Sequence, residues 1–153
     1  MAYWLFKSEP DTFGIDDLKA RGAKGEHWDG VRNYQARNML RDEVKKGDLV
    51  FFYHSNCDVP GIVGIAEVIK PAFPDPTQFN PDSKYYDPKS TQENPRWFCP
   101  QVKFKQKFKA TISLEQLKQI PALQDMAVVR KGNRLSIMPV TPQEWTFIQG
   151  LAG

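Results

Sequence analysis

Asp48-Leu49-Val50-Phe51-Phe52-Tyr53-His54-Ser55 reads as a strand buried on both sides. Its Val, Phe and Tyr content suits a pleated, packed surface. Side chains alternate along a strand, so Leu49, Phe51, Tyr53 and Ser55 share one side and Val50, Phe52 and His54 the other. Apolar residues on both sides predict a central strand, covered above and below. Downstream, the loop Asn56 to Pro60 leads into a second strand, Gly61 to Ile69, and the two make a hairpin. Gly61 and Gly64 mark a bend, a bulge or a close backbone approach, as in a tightly curled sheet.

Upstream lies His27-Trp28-Asp29-Gly30-Val31-Arg32-Asn33-Tyr34-Gln35-Ala36-Arg37-Asn38. Asp29 is placed to cap a helix by accepting from a first-turn N–H. Ala36, Leu40 and Val44 recur on one face of that helix, and Arg37 and Arg41 on another. Lys45, Lys46 and Gly47 make its stop signal. Trp28 would then sit just before a helix N-terminus, where a flat ring adjoins an anion site. A planar anionic ligand fits that arrangement, and a nucleotide is the commonest one.

Farther out, Tyr3 to Glu9 reads as a strand with Trp4, Phe6 and Ser8 on one side and Leu5, Lys7 and Glu9 on the other. It turns polar at Lys7-Ser8-Glu9 and stops at Pro10, so this end reaches a rim. Ile15 to Arg21 is a short helix. Pro71 to Pro95 carries six prolines with Phe73, Phe79, Tyr85 and Tyr86, the mark of a packed excursion or a functional loop. Val102 to Lys109 alternates, with Val102, Phe104 and Phe108 inward and lysines outward. Ser113 and Gln116 form a capping box, Ile112 and Leu117 its staple, and that helix stops at Pro121. Leu135 to Met138 is the last strand. Thr141, Pro142 and Glu144 then open a final helix, with Val140 against Trp145. Without a steady β-α repeat, the expected class is α+β, one domain over residues 1–153 around a curled sheet.

Net charge is only +3, yet Gln101 to Leu135 holds eight Lys or Arg against Glu115 and Asp125. No apolar stretch has the length to cross a bilayer and the N-terminus lacks a signal-peptide pattern, so a cytoplasmic protein with no membrane partner is expected. Cys57 and Cys99 make neither a disulfide framework nor a zinc pattern. His54 and Cys57, three apart, would need distant partners to hold a metal. No metal or cofactor is expected.

Tyr3-Trp4-Leu5-Phe6-Lys7-Ser8-Glu9-Pro10, the Trp28 to Asn38 block, Phe52-Tyr53-His54-Ser55, Gly61-Ile62-Val63-Gly64-Ile65-Ala66-Glu67-Val68 and Tyr86-Asp87-Pro88-Lys89 together resemble the EVE domain. The resemblance runs in order through nearly the whole chain and is to the bacterial single-domain kind. It implies a PUA-like fold, a small β-barrel or curled sheet flanked by helices, beside YTH and ASCH domains. It also implies a reader of modified nucleobases, with methylated or hydroxymethylated cytosine in DNA the leading ligand class and RNA an alternative polymer.

On that reading Trp28 stacks on an extruded base, an interaction worth about 1–3 kcal/mol. Lys7, Ser8, Glu9 and Asn33 meet the base edge, with Tyr34 close by. Tyr53 is preferred to His54 as a pocket residue, since the two lie on opposite faces of one strand. Phosphate candidates are Arg32, Arg37, Arg41, Arg130, Lys131 and Arg134, the last three in a basic Gly-containing loop. Lys103, Lys105 and Lys107 suit an edge strand that must not pair further. The rival reading is an enzyme: ASCH relatives include nucleoside amidohydrolases that use a lysine and a glutamate, and Lys7 and Glu9 lie two apart. A third is a general RNA-binding module of the PUA kind.

Overall fold

Alternation along the first and third strands decides how the layers form. In the computed structural model, which describes residues 1–152, β1 (Tyr3–Ser8) and β3 (Leu49–His54) run parallel with Tyr3 opposite Leu49 and Ser8 opposite His54. Trp4, Phe6, Val50 and Phe52 face one buried cluster; Leu5, Phe51 and Tyr53 face a second on the other side of the sheet. A strand apolar on both sides is thereby covered twice, by α2 (Ile15–Ala20) and α3 (Tyr34–Asp42) on one face and α4 (Leu114–Lys118) and α5 (Pro142–Ala152) on the other. A single turn, α1 (Pro10–Phe13), follows β1 directly.

β2 (Glu26–His27), β4 (Gly61–Pro74), β5 (Phe98–Ser113) and β6 (Ile137–Val140) complete a six-stranded mixed sheet in the order β2-β5-β4-β3-β1-β6. The chain is α+β. The β4–β5 ribbon carries four register shifts, which curl the sheet. Its glycines explain how: a Cβ on Gly61 would stand 2.3 Å from the Ile112 carbonyl oxygen, and one on Gly64 2.3 Å from that of Gln106. One expectation changes here. Val102, Phe104 and Phe108 do not share a face: the first two join the Trp28 cluster, whereas Phe108 joins the Phe51 cluster. The register slips between the pairs Ile65–Gln106 and Ala66–Phe104, and that extra residue on β5 turns the strand over.

Both capping boxes have their bonds in part or in full. The Ser113 hydroxyl accepts from the Gln116 N–H, while Thr141 and Glu144 exchange both bonds. Trp145 then slides between Phe51 and Tyr3, with ring centroids 3.8 and 4.6 Å away. Around α3 the expected buried stripe of Ala36, Leu40 and Val44 forms, but its start is displaced. Asn33, not Asp29, is the cap, its Oδ1 accepting from the Ala36 N–H at 3.0 Å. Asp29 to Arg32 run as irregular chain before the helix, with φ of +82° at Gly30. The stop also comes early, at Glu43, because Val44 and Glu43 both donate to the Met39 carbonyl.

Candidate functional site

The end of β1, the Glu26–Arg32 segment, the 84–85 corner and the loop before β6 converge on an open cavity of about 830 Å³. This lies within the range of small-molecule sites. β1 and β3 stop together at the sheet's rim, so Lys7, Ser8 and Glu9 emerge there. The Lys7 N–H donates to the Ser136 carbonyl, which brings Ser136 and Arg134 to the same mouth.

Trp28 is not free-standing. Its N–H donates to the Pro100 carbonyl at 2.9 Å, and its indole is only 7% exposed. The ring meets Phe52 edge-on at 5.3 Å and Phe6 at 5.4 Å, and the remainder forms part of the cavity wall. An indole braced from behind in this way is rigid as well as apolar.

The polar lining divides into engaged and free groups. Ser8 Oγ donates to the Phe13 carbonyl at 2.6 Å, which leaves the oxygen able to accept, and Glu9 accepts from Asn56 at 3.0 Å. Glu26 pairs with Arg21. Lys7 makes no ion pair among the described residues; its Nζ lies 5.6 Å above the Tyr53 ring. Burial holds the Lys7 ammonium below its ordinary pKa. Asp29 is pushed the other way, first by burial and then by the nearby carboxylates of Asp75 and Glu26.

A second group holds the wall in place. Asp75, fully buried, accepts from the Gly30 N–H (2.8 Å), the Thr77 N–H (2.8 Å) and Arg32 Nη1 (3.1 Å). Arg32 also donates to the Tyr85 carbonyl and to Thr77 Oγ1, and lies 5.2 Å from the Trp97 ring. Tyr85 presses against Gly30 so closely that a Cβ there would come within 2.6 Å of its Cζ.

Of the residues expected at the site, Lys7, Ser8, Glu9, Trp28, Arg32 and Arg134 line this cavity. Several others are directed elsewhere. Asn33 has its side-chain oxygen committed to capping α3. Tyr34 stacks on Trp97 at 4.8 Å, away from Trp28. Tyr53 belongs to the opposite core cluster, 2% exposed, where burial pushes its hydroxyl up to about 12. Its neighbour His54 accepts from the Ile15 N–H at 3.1 Å, as a satisfied histidine. Arg32 lines the wall, but its donors are taken by Asp75, Thr77 and two carbonyls, so it has no free fork for a phosphate. Arg37 donates to the Arg96 carbonyl and Asn38 and lies over Tyr34. Arg41 is paired with Asp42. Arg130 donates to the Asp125 carbonyl, and Lys131 is exposed on the same turn; neither is among the residues that line the cavity, as Arg134 is.

Sequence reasoning passed over Asp75, Lys84 and Tyr85. A signal for Asp75 existed: Asp75-Pro76-Thr77 is a cap followed by proline at the first helical position, here opening the 3-10 turn Pro76–Phe79. Tyr85 was visible only as one aromatic in a proline-rich stretch.

A curled mixed sheet with paired helices and an aromatic-walled cleft at the rim of its parallel strands defines a PUA-like module. The EVE domain model matches residues 2–151, and the chain belongs to the EVE domain family. Human thymocyte nuclear protein 1 is 42% identical over 167 residues, spanning 98% of this chain and 73% of that protein. A protein of Pseudomonas syringae with a crystal structure is 50% identical, with a TM-score of 0.95 over 99% of this chain and 100% of that one. The human THYN1 protein, crystallised in complex with 5-methylcytosine-containing DNA, is 42% identical, with a TM-score of 0.93 over 99% of this chain and 98% of that one. An ASCH protein of Zymomonas mobilis, 12% identical with a TM-score of 0.58 over 99% of both chains, shares the fold alone. No helix among the described residues is long and apolar enough to cross a membrane.

Proposed function

We propose that this chain is a non-enzymatic nucleic-acid-binding module that takes one extruded, modified cytosine into the cavity walled by Trp28. The observation that carries this is the near-complete structural match to the human THYN1 protein in complex with 5-methylcytosine-containing DNA. Residues 1–153 act as one EVE domain, in the cytoplasm, with DNA the preferred polymer. Trp28 offers the base an apolar face, Ser8 and Lys7 meet its polar edge, and Glu9 holds the rim. Arg134, with Lys84 and the exposed Lys131 beside it, engages flanking phosphates. Extrusion of a base costs a few kcal/mol, so affinity is modest and salt-sensitive.

The test is a titration of labelled duplexes containing cytosine, 5-methylcytosine or 5-hydroxymethylcytosine at one site, with RNA of the same sequence as a further arm. Tighter binding to a modified duplex, lost in a Lys7→Ala, Ser8→Ala double variant that keeps its thermal midpoint, is the expected outcome. Equal binding to all duplexes removes the modified-base reading, and tighter binding to RNA replaces DNA as the polymer.

A second reading has one observation in its favour. An amine kept below its ordinary pKa by burial is a better nucleophile or base at neutral pH, and Lys7 lines the cavity with Glu9 two residues on. Lys7-dependent turnover of acylated cytidines, read by mass spectrometry, would make the chain a nucleoside amidohydrolase instead.

A further inference from the structure

Asp29 lines the cavity beside Trp28, and its backbone is fixed on both flanks. The Trp28 N–H donates to the Pro100 carbonyl at 2.9 Å and the Gly30 N–H to Asp75 Oδ2 at 2.8 Å. Yet its own carboxylate makes no hydrogen bond and no ion pair among the described residues. The neighbouring acids are all engaged: Glu26 with Arg21, Glu9 with Asn56, Asp75 with Arg32 and Thr77. A carboxylate that stands exposed on a pinned backbone, with other acids nearby and none of the protein's donors bonded to it, does nothing for stability. Such a group is an acceptor open at the cavity, which a ligand's donor can take up in place of water.

Base chemistry says which donor. 5-Methylcytosine and thymine carry the same methyl group and present the same ring face, so neither an indole wall nor a methyl pocket separates them. They differ at position 4, where cytosine has an amino donor and thymine a carbonyl acceptor. We infer that the Asp29 carboxylate selects the cavity's occupant by accepting from the exocyclic amino group of a cytosine and repelling the C4 carbonyl of thymine or uracil. The module thereby distinguishes a methylated cytosine from its deamination product. This inference rests on the base-binding reading above and goes one step past it, to the residue that sets base identity.

Four duplexes test it, with the central base X being 5-methylcytosine, cytosine, thymine or uracil. In each, X faces an abasic site, so that no pairing partner biases extrusion. The wild-type chain is expected to prefer 5-methylcytosine over thymine. Asp29→Asn, whose amide can present either a donor or an acceptor, is expected to shrink that ratio by about tenfold or more, since bonds to a charged acceptor are the strong ones. Asp29→Ala, measured in parallel, should lose 5-methylcytosine affinity without the gain for thymine. Because the side chain makes no bond in the protein, unchanged thermal midpoints are the check that both variants fold. A ratio that survives Asp29→Asn overturns the assignment while leaving the base-binding reading intact. So does a uniform tightening on all four duplexes, which would make Asp29 a rim charge that only repels phosphates. A wild-type chain that binds 5-methylcytosine and thymine alike also overturns it. If the wild type binds none of the duplexes, the base-binding reading fails and the inference goes with it.

Discussion

Gly30 and Lys7 are the positions where the cavity makes its largest local demands. Gly30 has a φ of +82°, and the Tyr85 ring occupies the space a Cβ would need. Gly30→Ala therefore combines backbone strain with a clash and is expected to lower stability by about 1–3 kcal/mol in urea unfolding. Tyr85 must shift in that variant, so oligonucleotide affinity should fall with stability. Lys7 runs the opposite way. Burial depresses its pKa from 10.5 in the folded state, so the unfolded chain holds the proton more tightly. Stability consequently rises as pH climbs from the folded value toward 10.5, and below that window the cost of the half-buried ammonium is fully present. Lys7→Met keeps the side chain's length over Tyr53 and removes the charge. It is expected to raise stability at pH 7 by about 0.5–1 kcal/mol, in the range of single stabilising substitutions, while oligonucleotide binding is lost. A loss of stability, or undiminished binding, would show that the ammonium serves the fold rather than a ligand.

At the level of elements, the segment between β4 and β5 is the cavity's outer wall, and Asp75 is what fastens it. Burial pushes the Asp75 carboxyl up, but bonds from Thr77, Gly30 and Arg32 together outweigh burial and hold it below the usual carboxylate range. A depressed value contributes stability that is present above pH 3.8 and is lost as pH falls through the folded value. Asp75→Ala leaves Arg32 without its carboxylate and the Gly30 N–H without an acceptor. An expected cost of about 3 kcal/mol follows, read as a lower urea midpoint, with a flatter dependence on pH in the acid range than wild type. This wall was the least readable part of the sequence. Local rules served well where neighbours in sequence are neighbours in space: the two-faced strand at Phe51-Phe52, the box at Thr141-Glu144, the stripe at Ala36 and Leu40. They misplaced the α3 cap because Asp29 and Asn33 are equally good capping residues, and only the Gly30 turn, pinned by Asp75 from 45 residues away, decides between them. The same holds for Arg32, which looked like a phosphate ligand until Asp75 and Tyr85 arrived from a distant loop. Tyr53 failed for a simpler reason: alternation places it opposite Phe52, and Phe52 is the residue that backs Trp28.

For the whole molecule, charge is distributed rather than abundant. A net charge of +3 gives no strong general field, and many cations are already neutralised: Lys107 by Asp16, Lys105 by Glu67, Arg41 by Asp42. Those left over near the cavity are Lys7, Lys84 and Arg134, with Lys131 on the adjoining turn. A polymer laid across the mouth would thus meet about three or four cations, and the logarithm of its binding constant should fall with the logarithm of salt at a slope of about −3. Arg134 is the informative member, because phosphate contacts and base contacts respond differently to its removal. As a phosphate ligand, Arg134→Ala should weaken every oligonucleotide alike and make the slope shallower by about 1. Lys105→Ala, on β5 and already paired with Glu67, should leave both affinity and slope unchanged. Were Arg134→Ala instead to alter the order of preference among bases with the slope intact, the guanidinium would have to be reaching into the cavity. Arg134 would then join Ser8 at the base edge, and the backbone grip would fall to Lys84 and Lys131.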